Sequence, residues 1–360
     1  MPKTPQRKRK DRGLLDIHVV AKRAKVSIAT VSRTINGVPS VNAKLAKRVW
    51  DAIGELGYVP NTQARALGSG RSGMIGLVVS EITNPFFPEL IRGFEDAAIE
   101  RGYEILINST NYDPKRMEVC VRRLLQRKAE GVAILTFGIE RPLFEQLSDR
   151  NIPLVFVDDG PEGPGVSVVK IDYSHGIRQG VQHLAALGHR DIGFLSGPLT
   201  LHSAKARLTA FLEALDECGI KVRPEWQIEG DHTFEGGIRG MELLLNRPKR
   251  PSAVMCSNDV TALGALHRAY RVGMRVPGDI SIIGFDNIQM AKVMIPPLTS
   301  IQMSPIDIAN AAVKALAAHI SGKDPQREYR VDTHLVVRES TTFRPGSMSD
   351  LRSFRRKGAQ

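Results

Sequence analysis

The first part of the chain has a helical hydrophobic pattern. Apolar side chains recur there at helical spacing in short stretches, which predicts three short helices and a brief fourth over residues 62–67. Ser27 and Asn42 are typical N-caps for the second and third helices. Gly37 and Gly57 stand where those two helices are expected to end.

From residue 74 onward, continuous apolar runs alternate with amphipathic stretches. The runs predict buried strands at residues 75–79, 103–107, 131–135, 154–157, 166–171, 192–195, 253–256 and 280–285. The amphipathic stretches predict helices at residues 90–100, 118–127, 177–187, 204–218 and 261–270. Such strands are typical of parallel sheets covered by helices on both faces. About 270 residues exceed one usual core, so we expect two lobes with a ligand site between them.

The charge of the chain is concentrated at its start. The 360 residues carry a formal net charge of +12. Residues 1–72 hold 15 basic and 4 acidic side chains. Residues 73–345 hold 31 basic and 33 acidic side chains, and the last 15 residues hold 4 basic and 1 acidic. Residues 1–14 combine basic side chains with little apolar content, which predicts a disordered arm. A basic head followed by a nearly neutral body favours nucleic acid or an anionic membrane surface as partner.

Several classes of protein are not expected. No apolar run is long enough to span a membrane, and the basic start lacks the apolar segment of a secretory signal. Cys120, Cys218 and Cys256 are far apart and odd in number, as is typical of reduced thiols in a cytoplasm. Residues 68–73 spell GxGxxG, but they follow a predicted helix and precede a strand, so we interpret them as a linker. The sequence has no nucleotide-binding, hydrolase or metal-binding motif. We therefore expect no enzymatic activity, no cofactor and no metal.

Residues 20–32 have the spacing V-A-x-x-A-x-V-S-x-x-T-V-S, which is typical of a helix-turn-helix. In that motif the second helix enters the DNA major groove, and its first residues meet base edges. The candidates for base contacts are Ser27, Ile28, Ala29, Thr30 and Arg33. Arg33 offers a bidentate donor for guanine, and a solvated surface cation is the alternative interpretation. The side chains suited to phosphate contacts are Ser27, Thr30, Ser32 and Asn36.

With these motifs, the chain resembles the LacI/GalR family of bacterial transcription regulators. The resemblance rests on VSIATVSRTING at 26–37, LGYVPN at 56–61, ARAL at 64–67, NPFF at 84–87, LGHRDIG at 187–193, SND at 257–259, GFD at 284–286 and PPLT at 296–299. It implies a small all-α helix-turn-helix head at 15–60 and a hinge helix with linker at 61–73. A two-lobed α/β effector-binding and dimerisation domain, like a periplasmic binding protein with parallel sheets, follows at 74–345, and a basic tail ends the chain at 346–360. The implied lobes are about 74–160 with 292–322, and 161–291 with 323–345.

The resemblance also implies a function. We expect a homodimer that binds pseudo-palindromic operator DNA, represses transcription and resides in the cytoplasm at the bacterial nucleoid. A small polar ligand in the cleft, a sugar or a sugar derivative, is expected to change the operator affinity. The last residues have too few large apolar side chains for a leucine heptad, which favours a dimer. The alternative is a cytoplasmic solute-binding module without a direct transcriptional role.

Site residues follow from matching positions in the family. In the hinge, Asn61 matches a phosphate contact, Ala64 is small where hinge helices approach DNA and each other, and Leu67 matches a wedge between central base pairs. A plain packing leucine is the alternative for Leu67. The positions that match effector contacts are Asn84, Phe86, Phe87, Asp172, Arg207, Asn258 and Asp286. Phe86 and Phe87 are alternatively core residues, and Asp286 is alternatively a cap or turn residue.

Three positions depart from the family pattern. His232 stands where many relatives carry a stacking aromatic ring, and it is included among the effector-binding candidates. Val19 stands where an acidic residue is common. Lys25 stands where relatives often have glycine, in the turn before the second helix of the motif. We therefore expect strained backbone geometry at Lys25.

Overall fold

The computed structural model describes residues 16–38, 40–59, 71–135, 139–323 and 325–345. The chain divides into two compact units, Met1–Gly73 and Met74–Gln360, which we call the head and the body. The predicted basic arm, hinge helix and basic tail lie outside the described residues and remain predictions.

The described part of the head consists of helices α1 (Ile17–Ala24), α2 (Ile28–Ile35) and α3 (Ala43–Leu56). The predicted caps are confirmed. The Ser27 hydroxyl accepts a hydrogen bond from the Thr30 amide at 3.1 Å, and the Asn42 side chain accepts one from the Lys44 amide at 2.9 Å. Gly37 and Gly57 follow their helices with φ of 65° and 62°, a region that disfavours any residue with a Cβ.

The head has its own small core. Its buried apolar side chains come from all three helices: Val20, Ala21, Ala24, Val31, Val49, Ala52 and Ile53. The members on α1 recur at three- and four-residue spacing, which is why a helix as short as α1 can bury one face. Packing of this stripe, rather than intrinsic helix propensity, is expected to stabilise such short helices.

The body alternates strands with helices. Its strands are β1 (Met74–Val79), β2 (Glu104–Ser109), β3 (Gly131–Leu135), β4 (Leu154–Val157), β5 (Val166–Asp172), β6 (Ile192–Leu195), β7 (Gln227–Ile228), β8 (Ala253–Cys256), β9 (Ser281–Asp286), β10 (Thr299–Met303) and β11 (Glu328–Val336). Its helices are α4 (Phe86–Ile99), α5 (Pro114–Gln126), α6 (Arg141–Ser148), α7 (Tyr173–Ala186), α8 (His202–Glu217), α9 (Phe234–Leu245), α10 (Asp259–Arg271) and α11 (Pro305–Ile320). All eight predicted strands and all five predicted helices of the body are confirmed, whereas β7, β10, β11, α6, α9 and α11 were not predicted.

The strands form a two-lobed, mostly parallel arrangement in the order β2-β1-β3-β4-β5-β11-β10-β9-β8-β6-β7. β11 connects the lobes, because residues 328–332 pair parallel with β5 and residues 333–336 pair antiparallel with β10. The chain therefore passes between the lobes after β5, after β10 and within β11. The boundaries expected at 160, 291 and 322 are about ten residues too early, since β5 pairs with β4 and β10 pairs with β9.

Hydrogen bonds of a buried histidine connect the end of the described body to the second lobe. His189 is fully buried, and its Nε2 lies 2.9 Å from the Thr342 carbonyl oxygen while Nδ1 lies 2.8 Å from the Ser252 hydroxyl. Because a carbonyl oxygen only accepts, Nε2 carries the proton in the neutral ring. Burial lowers the pKa of His189 below 6.5, and the neighbouring Arg344 and His183 act in the same direction.

This histidine predicts a pH dependence of stability. The unfolded state takes up a proton near pH 6.5 and the folded state only at lower pH, so the contribution of His189 is present above pH 6.5 and is lost as the pH falls below it. We expect the difference in melting temperature between wild type and His189→Gln to shrink between pH 7.5 and pH 5.5. The comparison cancels other titrating groups, including Asp286. A difference that stays constant or grows on acidification contradicts the assignment.

Among the described residues, no helix has the length and apolar content needed to cross a bilayer.

Candidate functional site

The second helix of the head presents one polar face outward. Val31 and Thr34 are buried against the head core, whereas the face expected to read DNA is open. Its exposed members are Ser27, Ile28, Ala29, Arg33 and Asn36, and Thr30 and Ser32 are half-buried. The hydroxyls of Ser27 and Thr30 lie 2.9 Å apart at the start of the helix. The structure thus places all seven described DNA-contact candidates on or beside α2, while Asn61, Ala64 and Leu67 lie outside the described residues.

The body contains a cleft with about 930 Å³ of empty space, part of which is open to solvent. Seven of the eight predicted effector residues line it: Asn84, Phe86, Phe87, Arg207, His232, Asn258 and Asp286. Asp172 is not among its lining residues. It is exposed at the end of β5, where its carboxylate accepts a hydrogen bond from the His175 amide at 3.0 Å and caps α7. An effector contact by Asp172 remains a prediction that the cleft geometry does not favour.

Arg207 is the central cation of the cleft. It is 6% exposed, and its Nη1 donates a hydrogen bond to the Ser257 carbonyl oxygen at 2.5 Å. Its guanidinium carbon lies 4.0 Å from the ring centroid of Phe285 and 5.0 Å from that of Tyr173, so two aromatic faces hold the group. Within the described part of the chain, the buried Nε has no hydrogen-bond partner, which leaves a donor for a polar ligand.

Asp286 lies opposite this cation at the carboxyl end of β9. Its Oδ1 is 3.7 Å from Nη2 of Arg207. Burial raises the pKa of Asp286 to about 7, although Arg207 opposes the shift. The backbone at Asp286 is left-handed, with φ of 103°, and the following Asn287 is left-handed too, with φ of 56°. Two such residues in succession are strained, and strain of this kind is concentrated at ligand sites.

A second carboxylate holds this strained turn in place. Asp259 is fully buried and accepts hydrogen bonds from the Ser300 hydroxyl at 2.6 Å and from the Ile288 amide at 2.8 Å. Burial raises the pKa of Asp259 well above its ordinary value, and the charge of Asp286 adds to the shift. Asp259 therefore supports the turn that carries Asp286 rather than facing the cleft itself.

His232 and Asn258 form the next part of the wall. The Asn258 side chain accepts a hydrogen bond from the Thr261 amide at 2.8 Å, which caps α10, and donates one to the His232 carbonyl oxygen at 3.1 Å. The His232 Nε2 lies 2.9 Å from the Ser257 hydroxyl. Burial, together with the charge of Arg207, lowers the pKa of His232 to about 3, so the ring is neutral at physiological pH.

Asn84, Phe86 and Phe87 line the cleft from the first lobe. The Asn84 side-chain Oδ1 accepts a hydrogen bond from the Phe86 amide at 3.0 Å, at the start of α4. The two phenylalanine rings meet edge to face, with centroids 5.5 Å apart, and both side chains are buried in the main core. They also line the cleft. The two rings are therefore core residues and are also placed where a ligand could contact them.

Comparison with known proteins decides the family. The profile for "Bacterial regulatory proteins, lacI family" matches residues 16–61, and that for "Periplasmic binding protein-like domain" matches residues 181–341. The HTH-type transcriptional repressor PurR of Aliivibrio salmonicida is 33% identical over 323 residues, which are 89% of this chain and 97% of that protein. The chain belongs to the lacI family.

Solved structures of lacI-family proteins share the fold. The Lac repressor dimer bound to operator and the anti-inducer ONPF is 28% identical, with a TM-score of 0.81 over 91% of this chain and 99% of that one. The complex of the transcriptional regulator CelR with cellobiose is 31% identical, with a TM-score of 0.69 over 90% of this chain and 99% of that one. The similarity to both covers the head and the body together.

This lacI-family cleft includes polar residues that the sequence analysis did not select. Asp158 and Tyr173 both line it, and each carboxyl or hydroxyl group influences the pKa of the other. Burial raises the pKa of the Asp158 carboxyl, and it also raises that of the Tyr173 hydroxyl. His202 lies at the rim. The available signal was position, because Asp158 directly follows β4 and Tyr173 directly follows β5, at the strand ends where ligands bind.

A metal site is not apparent in the described segments, which contain no group of three or more His, Cys, Asp or Glu side chains arranged for an ion.

Proposed function

We propose that this chain is a transcriptional repressor that binds pseudo-palindromic operator DNA as a homodimer, and that a small polar ligand in the body cleft changes its operator affinity. The observation that carries the proposal is the pairing, in one chain, of an exposed reading face on α2 with a cleft built around a buried arginine. The relatives named above are described as a repressor, as a dimer on operator and as a sugar complex, which supports each part of the proposal.

Exposed apolar side chains support self-association. On the body, Val293 is 77% exposed and Ile295 is 96% exposed, and only one residue separates them in the chain. Large apolar groups on a surface are typical of protein interfaces when they are grouped. A dimer also matches the two half-sites of a pseudo-palindrome, since protein symmetry and operator symmetry correspond. We further infer that the protein acts in the cytoplasm at the nucleoid and catalyses no reaction.

Operator binding is testable with the full-length chain. The protein is used to select duplexes from a pool of randomised pseudo-palindromes, and fluorescence anisotropy then measures binding at several salt concentrations. We expect affinity that falls steeply with salt and that is several hundred-fold or more above the affinity for unrelated DNA, as a rough lower figure for specific binding. Equal affinity for selected and unrelated duplexes would refute the proposal and favour the solute-binding module.

The cleft also predicts the charge of its ligand. Among the described residues that line it, Asp158, Asp159 and Asp286 outnumber the single arginine, and His232 is neutral. We therefore expect an uncharged, hydroxyl-rich ligand and not a phosphorylated one, because the lining offers a phosphate one arginine, whereas its carboxyl groups, ionised or protonated, suit neutral hydroxyls as hydrogen-bond partners. Matched pairs test this: glucose with glucose 6-phosphate, ribose with ribose 5-phosphate, and cytidine with its 5′-monophosphate. Thermal stabilisation by a phosphorylated member alone contradicts the expectation.

A further inference from the structure

The turn between α1 and α2 has an unfavourable residue at its centre. Lys25 adopts φ of 53° and ψ of 49°, in the left-handed region. That conformation is readily adopted by glycine and is disfavoured for a side chain with a Cβ. The turn keeps its backbone pairing nonetheless, because the Val26 amide donates a hydrogen bond to the Ala21 carbonyl oxygen at 3.1 Å. A further contact that favours this geometry would offset the remaining cost of a Cβ in this region.

Arg48 of α3 supplies such a contact. Its Nη2 donates a hydrogen bond to the Ala24 carbonyl oxygen at 2.5 Å and another to the Lys25 carbonyl oxygen at 3.1 Å. Both acceptors belong to the end of α1 and the left-handed residue after it, where carbonyl groups lack helical partners. A cation at a helix C-terminus is also favoured by the helix dipole. One side chain thus joins the third helix to the turn that sets the direction of α2.

We propose that Arg48 is a positioning residue for DNA recognition, which holds the left-handed turn at Lys25 so that α2 keeps its reading orientation. The turn has other available conformations, and only the fraction of molecules with the observed turn presents Ser27 and Arg33 correctly. Apparent operator affinity scales with that fraction. Arg48 raises the fraction without touching a base. The operator part of this inference rests on the proposed function.

A direct phosphate contact is the competing role, because Arg48 is exposed. The two roles differ in two measurable ways. Loss of a phosphate contact lowers the salt dependence of binding by about one counterion per subunit, or about two for the dimer, whereas loss of a positioning contact leaves it unchanged. Loss of a positioning contact is also rescued by Lys25→Gly, which makes the left-handed turn favourable by itself, whereas loss of a phosphate contact is not.

The first experiment needs no DNA. Amide hydrogen exchange over residues 21–31 of the full-length chain is compared for wild type, Arg48→Met, Lys25→Gly and the double variant. Lys47→Met, which removes one charge from the neighbouring exposed position of α3, is the matched control. We expect faster exchange in Arg48→Met, near-wild-type exchange in the double variant and no change in the control. Unchanged exchange in Arg48→Met, or no rescue by Lys25→Gly, overturns the inference.

The second experiment measures binding to the duplex selected by the wild-type chain. We expect Arg48→Met to weaken binding about 3- to 10-fold with an unchanged salt slope, and the same substitution in the Lys25→Gly background to weaken it less than about 2-fold. Equal losses in both backgrounds, or a reduced salt slope, overturn the inference. If the wild-type chain selects no duplex, the proposed function fails, and hydrogen exchange alone decides the role of Arg48 in the turn.

Discussion

Arg207→Met is expected to shift the response to ligand to much higher ligand concentration while leaving ligand-free operator binding intact. The substitution removes the cation that Phe285 and Tyr173 hold in the cleft, and with it the unpartnered buried Nε donor. A hydrogen bond from a charged donor contributes about 1.5–3 kcal/mol, so ligand affinity is expected to fall by roughly 10- to 150-fold. Calorimetric titration with the neutral compound that stabilises the wild type measures this loss.

The control for that experiment lies on the same helix. Lys205 is an exposed cation of α8, two residues away, so Lys205→Met removes the same charge outside the cleft. It is expected to leave ligand affinity unchanged. Retained operator binding shows that Arg207→Met still folds. If this variant still changes its operator affinity on addition of ligand as the wild type does, Arg207 is not the central contact of the cleft.

Arg33→Ala is expected to relax base discrimination at one position of each operator half-site. The side chain is exposed on the reading face of α2, where its fork matches the two acceptors on the major-groove edge of guanine. Such a pair discriminates against the wrong base by about 1–3 kcal/mol, or roughly 5- to 150-fold. Anisotropy titrations with the selected duplex and with single-base variants of each half-site identify the affected position.

A control variant that loses the same charge elsewhere distinguishes base recognition from nonspecific electrostatic attraction to DNA. Lys22 is an exposed cation on α1, and Lys22→Ala is expected to weaken binding to all duplexes by a similar factor. Arg33→Ala is instead expected to change the preference among them. An unchanged preference assigns Arg33 to the solvated surface, the alternative interpretation of this residue.

The sequence was sufficient where structure is locally determined. Ser27 and Asn42 cap helices as expected because an N-cap depends on a side chain and an amide two or three residues away. The strands with continuous apolar runs are also recognisable from local sequence, because a strand that is buried on both faces has apolar residues at every position. The positive φ of Lys25 was also predicted, and it is confirmed.

β11, the strand that joins the lobes, was missed because its burial is uneven. β11 has exposed positions at Glu328, Arg330 and Asp332 between more buried ones, and it pairs with β5, which is far away in sequence. An alternating strand of this kind lacks the continuous apolar run that identified its neighbours. The early lobe boundaries follow from the same omission, because β10 and β11 carry the chain between the lobes.

In the cleft, position at the end of a strand was not sufficient to predict which residues face the ligand site. Asp172 and Tyr173 are adjacent, and both stand at the end of β5, but only Tyr173 lines the cleft. Position at a strand end was visible in the sequence, whereas the direction of each side chain depended on where β5 ends and α7 begins. Asp158 was missed for a related reason, since Tyr173, which influences its pKa, follows the next strand along the chain.

Coupling between the cleft and the operator is what would make this chain respond to its ligand, and such coupling must be reciprocal. The dissociation constant of the stabilising neutral ligand is measured for the full-length chain with and without saturating selected duplex, and that of the duplex with and without saturating ligand. Linkage requires both constants to change by one factor, for which about 5- to 150-fold is typical. We predict equal factors in this range. Ligand affinity that is the same with and without operator would contradict the account.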